Sequence, residues 1–320
     1  MTAVVVVGFH RSGTSMLTRM LHKAGLFVGD RLLGAVPSNP HGHYEDEEVL
    51  GFHDKVLESN GCNWMFSGDA DNLIMSEAAQ RWMRTFVGRR NTRYANWGFK
   101  DPRVCLFLEN WDSAIENPVY VVVFRDFLET SQSIFHRQSR DIALGQGNPG
   151  AHVRFWKEPN LALQMWVAHN RAIVNFLRKG RKRIICAQHR QLLAGFPISA
   201  ELRKHGVTLD DVSSDDLVDL SATNIEVEWL LGLSGAELDE ALNIWKEIED
   251  ITGASLIDIE ERVHLAKAAT ERIYRDARFS SSAMEESETF REYNRLFVRM
   301  NPPKAPATAA AAKPASPSKA

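Results

Sequence analysis

Val4-Val5-Val6-Val7-Gly8-Phe9-His10-Arg11-Ser12-Gly13-Thr14-Ser15 is the stretch on which the reading of this chain turns. The valines are continuous and β-branched, the pattern of a strand buried on both faces of a parallel sheet. Glycine ends the run. From Thr14 to Ala24 the pattern becomes helical, with Met16, Leu17, Met20 and Leu21 on one face and Gly25 as the stop. Strand, glycine loop and helix open a βαβ unit. Residues 8 to 15 follow the spacing G-x-x-x-x-G-K-[ST] of a phosphate-binding loop. In such a loop the glycines let successive amides point at one phosphate, and the following helix aims its positive end there. One position departs. Thr14 stands where a nucleotide-hydrolysing loop carries lysine, and the positive charge sits inside the loop at Arg11, beside the hydroxyls of Ser12, Thr14 and Ser15. That suits a nucleotide with one phosphate in the cradle and a transferable group beside Arg11.

Outward from the loop, strands and helices alternate. Residues 26 to 44 are glycine- and proline-rich and loop-like. Helical spacing returns over Glu45–Ser59 and Ser76–Val87, Trp97–Lys100 reads as a second strand, and Val104–Ile115 reads as a helix. Val119–Phe124 is the clearest strand after the first. Phe127–Arg137 reads as a helix, Asp141–Pro159 as a connection, Leu161–Arg178 as a long amphipathic helix and Ile184–Ala187 as a last strand. The prediction is an α/β fold: three layers, a P-loop-like parallel sheet flanked by helices, with a C-terminal helical extension. The domains expected are a nucleotide-binding α/β domain over 1–206, an acidic helical extension packed on it over 207–300, and a disordered tail over 301–320. Thr208–Glu261 holds one basic residue, Lys246, yet enough apolar residues to pack. Ile259–Arg278 and Glu288–Met300 look helical, and the Ala/Pro/Lys/Ser end has nothing to bury.

The bulk numbers set bounds. The 320 residues are 44% hydrophobic and 25% charged, ordinary for a globular protein, and the net charge of -3 argues against a general nucleic-acid binder. Three cysteines, Cys62, Cys105 and Cys186, give neither a disulfide framework nor metal-ligand spacing. No apolar run is long enough to span a bilayer, and Val4–Val7 is too short for a signal-peptide core. The expectation is a cytoplasmic protein with no integral membrane segment and no metal.

With the loop in hand, the sequence resembles the PAPS-dependent sulfotransferases, in particular their bacterial members; PAPS is 3′-phosphoadenosine 5′-phosphosulfate. The family's [KR]-S-G-T-[TS] loop, which binds the 5′-phosphosulfate, is matched by Arg11-Ser12-Gly13-Thr14-Ser15. Its second signature is an arginine at a strand end with a serine eight residues on, both contacting the 3′-phosphate. Arg125 ends the strand Val119–Phe124, and Ser133 follows it. Asn39-Pro40-His41-Gly42-His43-Tyr44-Glu45 is similar to the N-P-x-G-x-x-E stretch, Lys100-Asp101-Pro102-Arg103 to K-D-P-R, and Trp166–Asn170 also fits. The resemblance covers about residues 1 to 195. It implies sulfuryl transfer from PAPS to a hydroxyl or amine of a small-molecule or glycan acceptor.

The resemblance also suggests roles. Arg11 and Lys100 are the cations for charge growing on the leaving phosphate, and the amides of Ser12 to Ser15 hold it. Pro102 stands where many cytosolic members carry a histidine base. Bacterial relatives carry a glutamate at the start of the helix expected opposite the phosphate loop, so the resemblance implies Glu45 as the candidate base, with its favoured place in a helix's first turn as the equal alternative. His43 comes next and His41 last. Asp101 is expected to orient Lys100 or Arg103. Arg137, Arg140 and Arg154 read as solvated surface more readily than as anion ligands, and Trp64, Trp82, Trp97, Trp156 and Trp166 as core more readily than as an acceptor wall. Two rival functions stay open: a P-loop small-molecule kinase, disfavoured by Thr14, and a degenerate nucleotide-binding interaction module.

Overall fold

Strand β1 (Thr2–Val7) is central in a four-stranded parallel sheet, between β2 (Asn96–Lys100) and β3 (Val119–Phe124), with β4 (Ile184–Gln188) beyond β3. The chain is described by a computed structural model over residues 1–34, 42–145, 148–158, 160–180, 183–210 and 235–277. Val6 pairs with Lys100, Val7 with Val122 and Phe124 with Gln188, so four strand ends rise together at one edge.

Period-two alternation divides the strands between two cores. Val4, Val6, Val119, Val121, Val123 and Ala187 face Leu17 and Leu21 of α1 (Thr14–Lys23). Val5, Val7, Phe99, Tyr120, Val122 and Phe124 face the larger core. That core holds α2 (Glu47–Ser59), α3 (Glu77–Arg93), α4 (Leu108–Ala114), α5 (Phe127–Ala143), α6 (Pro149–Lys157) and α7 (Leu161–Arg178). The result is α/β in three layers, as expected, and the valine runs are uninterrupted because water reaches neither face. Trp97, Trp156 and Trp166 are buried, while Trp64 and Trp82 are only partly so.

Several boundaries differ from the sequence reading, each for a local reason. Helix α2 begins at Glu47 rather than Glu45, because the Asp46 carboxylate accepts the Glu48 amide at 2.9 Å and caps it. Glu45 is thereby left ahead of the helix. Residues 102–107 form a 3-10 turn leading into α4, started by Asp101 accepting the Arg103 amide at 2.9 Å. Helix α5 runs on to Ala143, capped by Asp126. The stretch 141–159, read as a connection, contains α6; Asn148 caps it and Pro149 takes the first turn, where a missing N–H costs nothing.

After β4 come the short α8 (His189–Leu193) and α9 (Ile198–Lys204). Within the acidic segment, α10 (Ala236–Thr252) buries Leu238, Ala241, Ile244, Trp245 and Ile248 in the same core as α7, and α11 (Ile259–Ala277) follows. The Gln188 amide donates to Thr252 Oγ1 at 2.9 Å and to Ala254 O at 2.6 Å, tying the end of β4 to the end of α10. The expected helix over 288–300 and the expected tail lie outside the described residues, as do Asn39, Pro40 and His41. Among the described residues no helix is long and apolar enough to cross a membrane.

Candidate functional site

Ligands of parallel sheets lie beyond the carboxyl ends of the strands, and here each of the four ends carries a polar residue of interest. The loop after β1 turns tightly. The Ser12 amide donates to Phe9 O at 3.1 Å, and Arg11 takes the left-handed conformation at φ 65. A side chain on Gly8 would meet Val123 O at 2.6 Å. Gly13, at φ 92, lies against the His189 ring, which a β-carbon there would approach to 2.5 Å. Gly13 caps α1 with no side-chain hydrogen bond, and the first turn holds no acidic residue. The first helical bond closes from Leu17 N to Gly13 O at 3.1 Å. The Ser12 amide is thus spent inside the turn, and the amides of Gly13, Thr14 and Ser15 precede the first helical bond.

The second signature meets this loop directly. Arg11 Nε donates to Ser133 Oγ at 2.9 Å, and Arg125 Nη1 donates to the carbonyl of Arg11 at 3.0 Å. Ser133 and Arg125 are both buried. Arg125 is fixed from two sides: its Nε donates to Glu129 Oε2 at 2.9 Å, and its carbonyl accepts from Trp166 Nε1 at 3.0 Å. Glu129 also accepts from Arg190 at 2.6 Å and from Arg262 of α11 at 3.4 Å. Burial opposes the Glu129 charge, but Arg125 and then Arg190 and Arg262 outweigh it and lower its pKa.

Positive charge accumulates here. Ser133, Arg137 and Arg140 lie on one face of α5, four and then three residues apart. Arg137, Arg140 and Arg154, the three expected surface arginines, are all half-buried, and Arg154 is paired with Glu158. Arg125 Nη2, Arg137 Nε and Arg140 Nε are buried with no hydrogen-bond partner among the described residues, although Arg137 Nε lies 3.8 Å from Asp141. Burial, then the guanidiniums of Arg137, Arg125 and Arg140, push Arg11 down to about 9. An arginine resists deprotonation, so the shift marks a cation held against burial and like-charge neighbours.

A second group adjoins it. Lys100, at the end of β2, is buried and donates to Glu45 Oε1 at 2.6 Å and to His43 O at 3.0 Å. His43 Nδ1 lies 4.0 Å from the same carboxylate oxygen. Burial, followed by Arg137, Lys100 and Arg11, lowers His43 to about 3, so its ring is neutral. Cations of both groups act on His43, so the two groups are neighbours, while His41 lies outside the described residues. Sequence reasoning named Arg137 and Arg140 but read them as surface more readily than as anion ligands, and it did not single out His189. The helical spacing from Ser133 was the available signal for the first two.

Beneath Lys100 lies a closed network. Asp101 accepts from Arg103 Nη1 at 2.9 and 3.0 Å and from the Arg103 amide, as part of the expected orienting role. It also faces His53 Nδ1 at 3.1 Å. Trp111 Nε1 donates to His53 Nε2 at 2.9 Å, so the histidine proton is on Nδ1 and is donated to Asp101. Burial disfavours the Asp101 charge, but Arg103 and His53 overcome it and hold the carboxyl far below the usual range.

No family model matches the chain, and no curated protein does. Two solved structures are similar at a distance. One is the sulfotransferase domain from the curacin biosynthetic pathway, 15% identical, covering 87% of this chain and 97% of that one, with a TM-score of 0.39. The other is retinol dehydratase in complex with androsterone and inactive cofactor PAP, 11% identical, covering 93% of this chain and 80% of that one, with a TM-score of 0.30.

Proposed function

We propose that the protein transfers a sulfuryl group from PAPS to a hydroxyl or amine of a small-molecule or glycan acceptor. The observation that carries this reading is the Arg125–Arg11–Ser133 chain of contacts, 3.0 and 2.9 Å long. It joins the strand-end signature to the phosphate loop, two motifs more than a hundred residues apart. A second support is the charge balance. Buried, under-partnered guanidiniums are costly unless an anion completes them. A nucleotide with phosphate on both its 3′ and 5′ oxygens, and sulfate beyond, supplies anions at more than one point of this cluster.

In this reading the amides of Gly13, Thr14 and Ser15 hold the 5′-phosphate at the helix N-terminus. Arg125 and Ser133 take the 3′-phosphate, Arg125 through its buried Nη2, which has no partner among the described residues. Sulfuryl transfer demands in-line alignment and stabilisation of charge on the leaving phosphate oxygen. Arg11 and Lys100 supply that charge. Glu45, engaged by Lys100 at 2.6 Å, aims the ammonium. His43 stays neutral beside them and adds no charge of its own.

The test compares thermal shifts with adenosine 3′,5′-bisphosphate and adenosine 5′-phosphate. The expected result is a markedly larger shift for the bisphosphate, with the difference erased in Arg125→Ala. Equal shifts for the two ligands would remove the 3′-phosphate assignment. Sulfur-labelled PAPS, incubated with candidate acceptors, then reports transfer.

A further inference from the structure

The geometry points to a proton-accepting pair that rests on the sulfuryl-transfer reading: His10 as the catalytic base, and His169 behind it as the residue that positions its ring. His10 precedes Arg11 in the phosphate loop, beside the point where a transferable group would sit. Its Nε2 is buried without a hydrogen-bond partner, and so is the Nε2 of His169 on α7. The ring centres are 6.0 Å apart with planes at 68°. Two adjacent buried nitrogens without partners call for an explanation.

The tautomers supply one. His169 Nδ1 lies 2.8 Å from the carbonyl of Met165, and a carbonyl only accepts, so Nδ1 carries the His169 proton. Its Nε2 is therefore a fixed lone pair, on a ring that is fully buried. The neighbouring ring is that of His10, whose own Nε2 is likewise buried without a partner among the described residues, and the complementary arrangement we infer is a His10 proton on Nε2. The His10 ring is only half-buried although its Nε2 is covered. Its remaining lone pair, on Nδ1, is then the one available to a substrate. This is the arrangement of a base oriented by a third group, with the orienting contact long before substrate binds. Burial keeps both rings neutral: His10 is held well below its ordinary range, with His169, Arg103 and Lys100 adding to the effect, and His169 is lowered to about 4.

The alternatives for the role are engaged elsewhere. Glu45 is bound to Lys100, and His43 Nδ1 lies 4.0 Å from the Glu45 carboxylate. The approach to His10 is aromatic, since Trp64, half-buried, packs edge-on at 5.5 Å and itself neighbours Phe155 at 5.8 Å. In the step proposed, the acceptor O–H breaks and its proton passes to His10 Nδ1. The acceptor oxygen–sulfur bond forms. The bond from sulfur to the bridging oxygen breaks, its electron pair staying on the 5′-phosphate. His10 returns the proton to solvent.

Release of sulfate from PAPS, with water as acceptor, tests this without a known acceptor. His10→Ala is expected to slow release about 100-fold, with bisphosphate affinity kept. His169→Phe, which keeps the ring and removes the lone pair, is expected to lower the rate with KM for PAPS unchanged. Two-bond 1H–15N spectra of the imidazoles test the tautomers directly: His10 protonated on Nε2, His169 on Nδ1, and the His10 assignment lost in His169→Phe. A His10→Ala protein that releases sulfate at the wild-type rate, or a His10 proton found on Nδ1, overturns the proposal. Where the wild type releases no sulfate, the spectra decide. Failure to bind the bisphosphate sinks the sulfuryl-transfer reading instead, and leaves the tautomer result standing.

Discussion

Two buried clusters of charge lie at the same edge of the sheet, and they are built on opposite plans. Around Asp101 the groups are matched: Arg103 spans both carboxylate oxygens while its Nε, which makes no hydrogen bond, lies 3.0 Å from the Asp54 carboxylate, His53 donates a proton, and Trp111 fills the other side of His53. Around Arg11 the cations outnumber their partners, and three guanidinium nitrogens are buried without one among the described residues. A closed network stabilises a fold only while every member stays. An open one costs stability until a ligand completes it. In the proposed reading the first is scaffold for Lys100 and the second a recognition surface. Perturbations should therefore act on stability in one and on binding in the other.

The largest effect is expected at Asp101. Asp101→Asn removes the charge facing Arg103 and His53, both buried, and should cost about 3–5 kcal/mol of unfolding free energy, read by urea denaturation. A loss under about 1 kcal/mol would show the network is not as closed as its geometry.

Acid should act next, and mainly on the open side. His43 and His189 are lowered to about 3 and His136 to about 4, each first by burial and then by neighbouring arginines or Lys100. These folded-state values lie below the ordinary 6.5, so the unfolded chain binds protons that the folded one refuses. Their stabilisation is complete above pH 6.5 and is lost as pH falls from there toward about 4 for His136 and about 3 for His43 and His189. Each fully neutral histidine contributes a slope of up to about 1.4 kcal/mol per pH unit. Denaturation midpoints at pH 7, 6 and 5 measure it. Bound bisphosphate should flatten the slope by lowering the local positive potential, and a slope unchanged by ligand would place the histidines away from the anion.

Arg125→Ala tests the open cluster itself. It should weaken bisphosphate binding by about 10–100-fold, the worth of a charge-assisted contact of about 1.5–3 kcal/mol, while stability changes little because Glu129 keeps Arg190 and Arg262. Calorimetric titration separates the two quantities. A large stability loss with affinity unchanged would move Arg125 to the scaffold side of the comparison.

How far the sequence revealed this contrast follows from what each part depends on. The valine strand, the loop, β3 and α7 were legible because their signals are local: continuous β-branched runs, paired glycines and an unbroken helical period. Arg125 and Ser133 were legible through spacing within one strand–helix unit. Arg137 and Arg140 were read as surface because α5 was ended at Arg137. Continuing the helix to Ala143 puts Arg140 on the Ser133 face, where it is half-buried. The Asp101 network was only half visible, since Arg103 is two residues away while His53 and Trp111 arrive from other helices. Glu45 was read inside a helix because nothing in its own pattern shows that Asp46 would claim the cap.

The smallest effect is the most discriminating. Arg140 contributes to the positive field that lowers both Arg11 and His136, and among the described residues Asp141 acts on it favourably. In the ligand-free protein, Arg140→Gln should be neutral to stabilising, by less than about 1 kcal/mol, because it removes one of several like charges. With bisphosphate bound, the same substitution should lose affinity and steepen no salt dependence, since one fewer cation faces the anion. Ligand-free stability and affinity therefore move in opposite directions. A scaffold arginine would move both downward. Measuring the denaturation midpoint and the Kd of the same variant at two salt concentrations distinguishes an open cluster built for an anion from a closed one that lacks a visible partner.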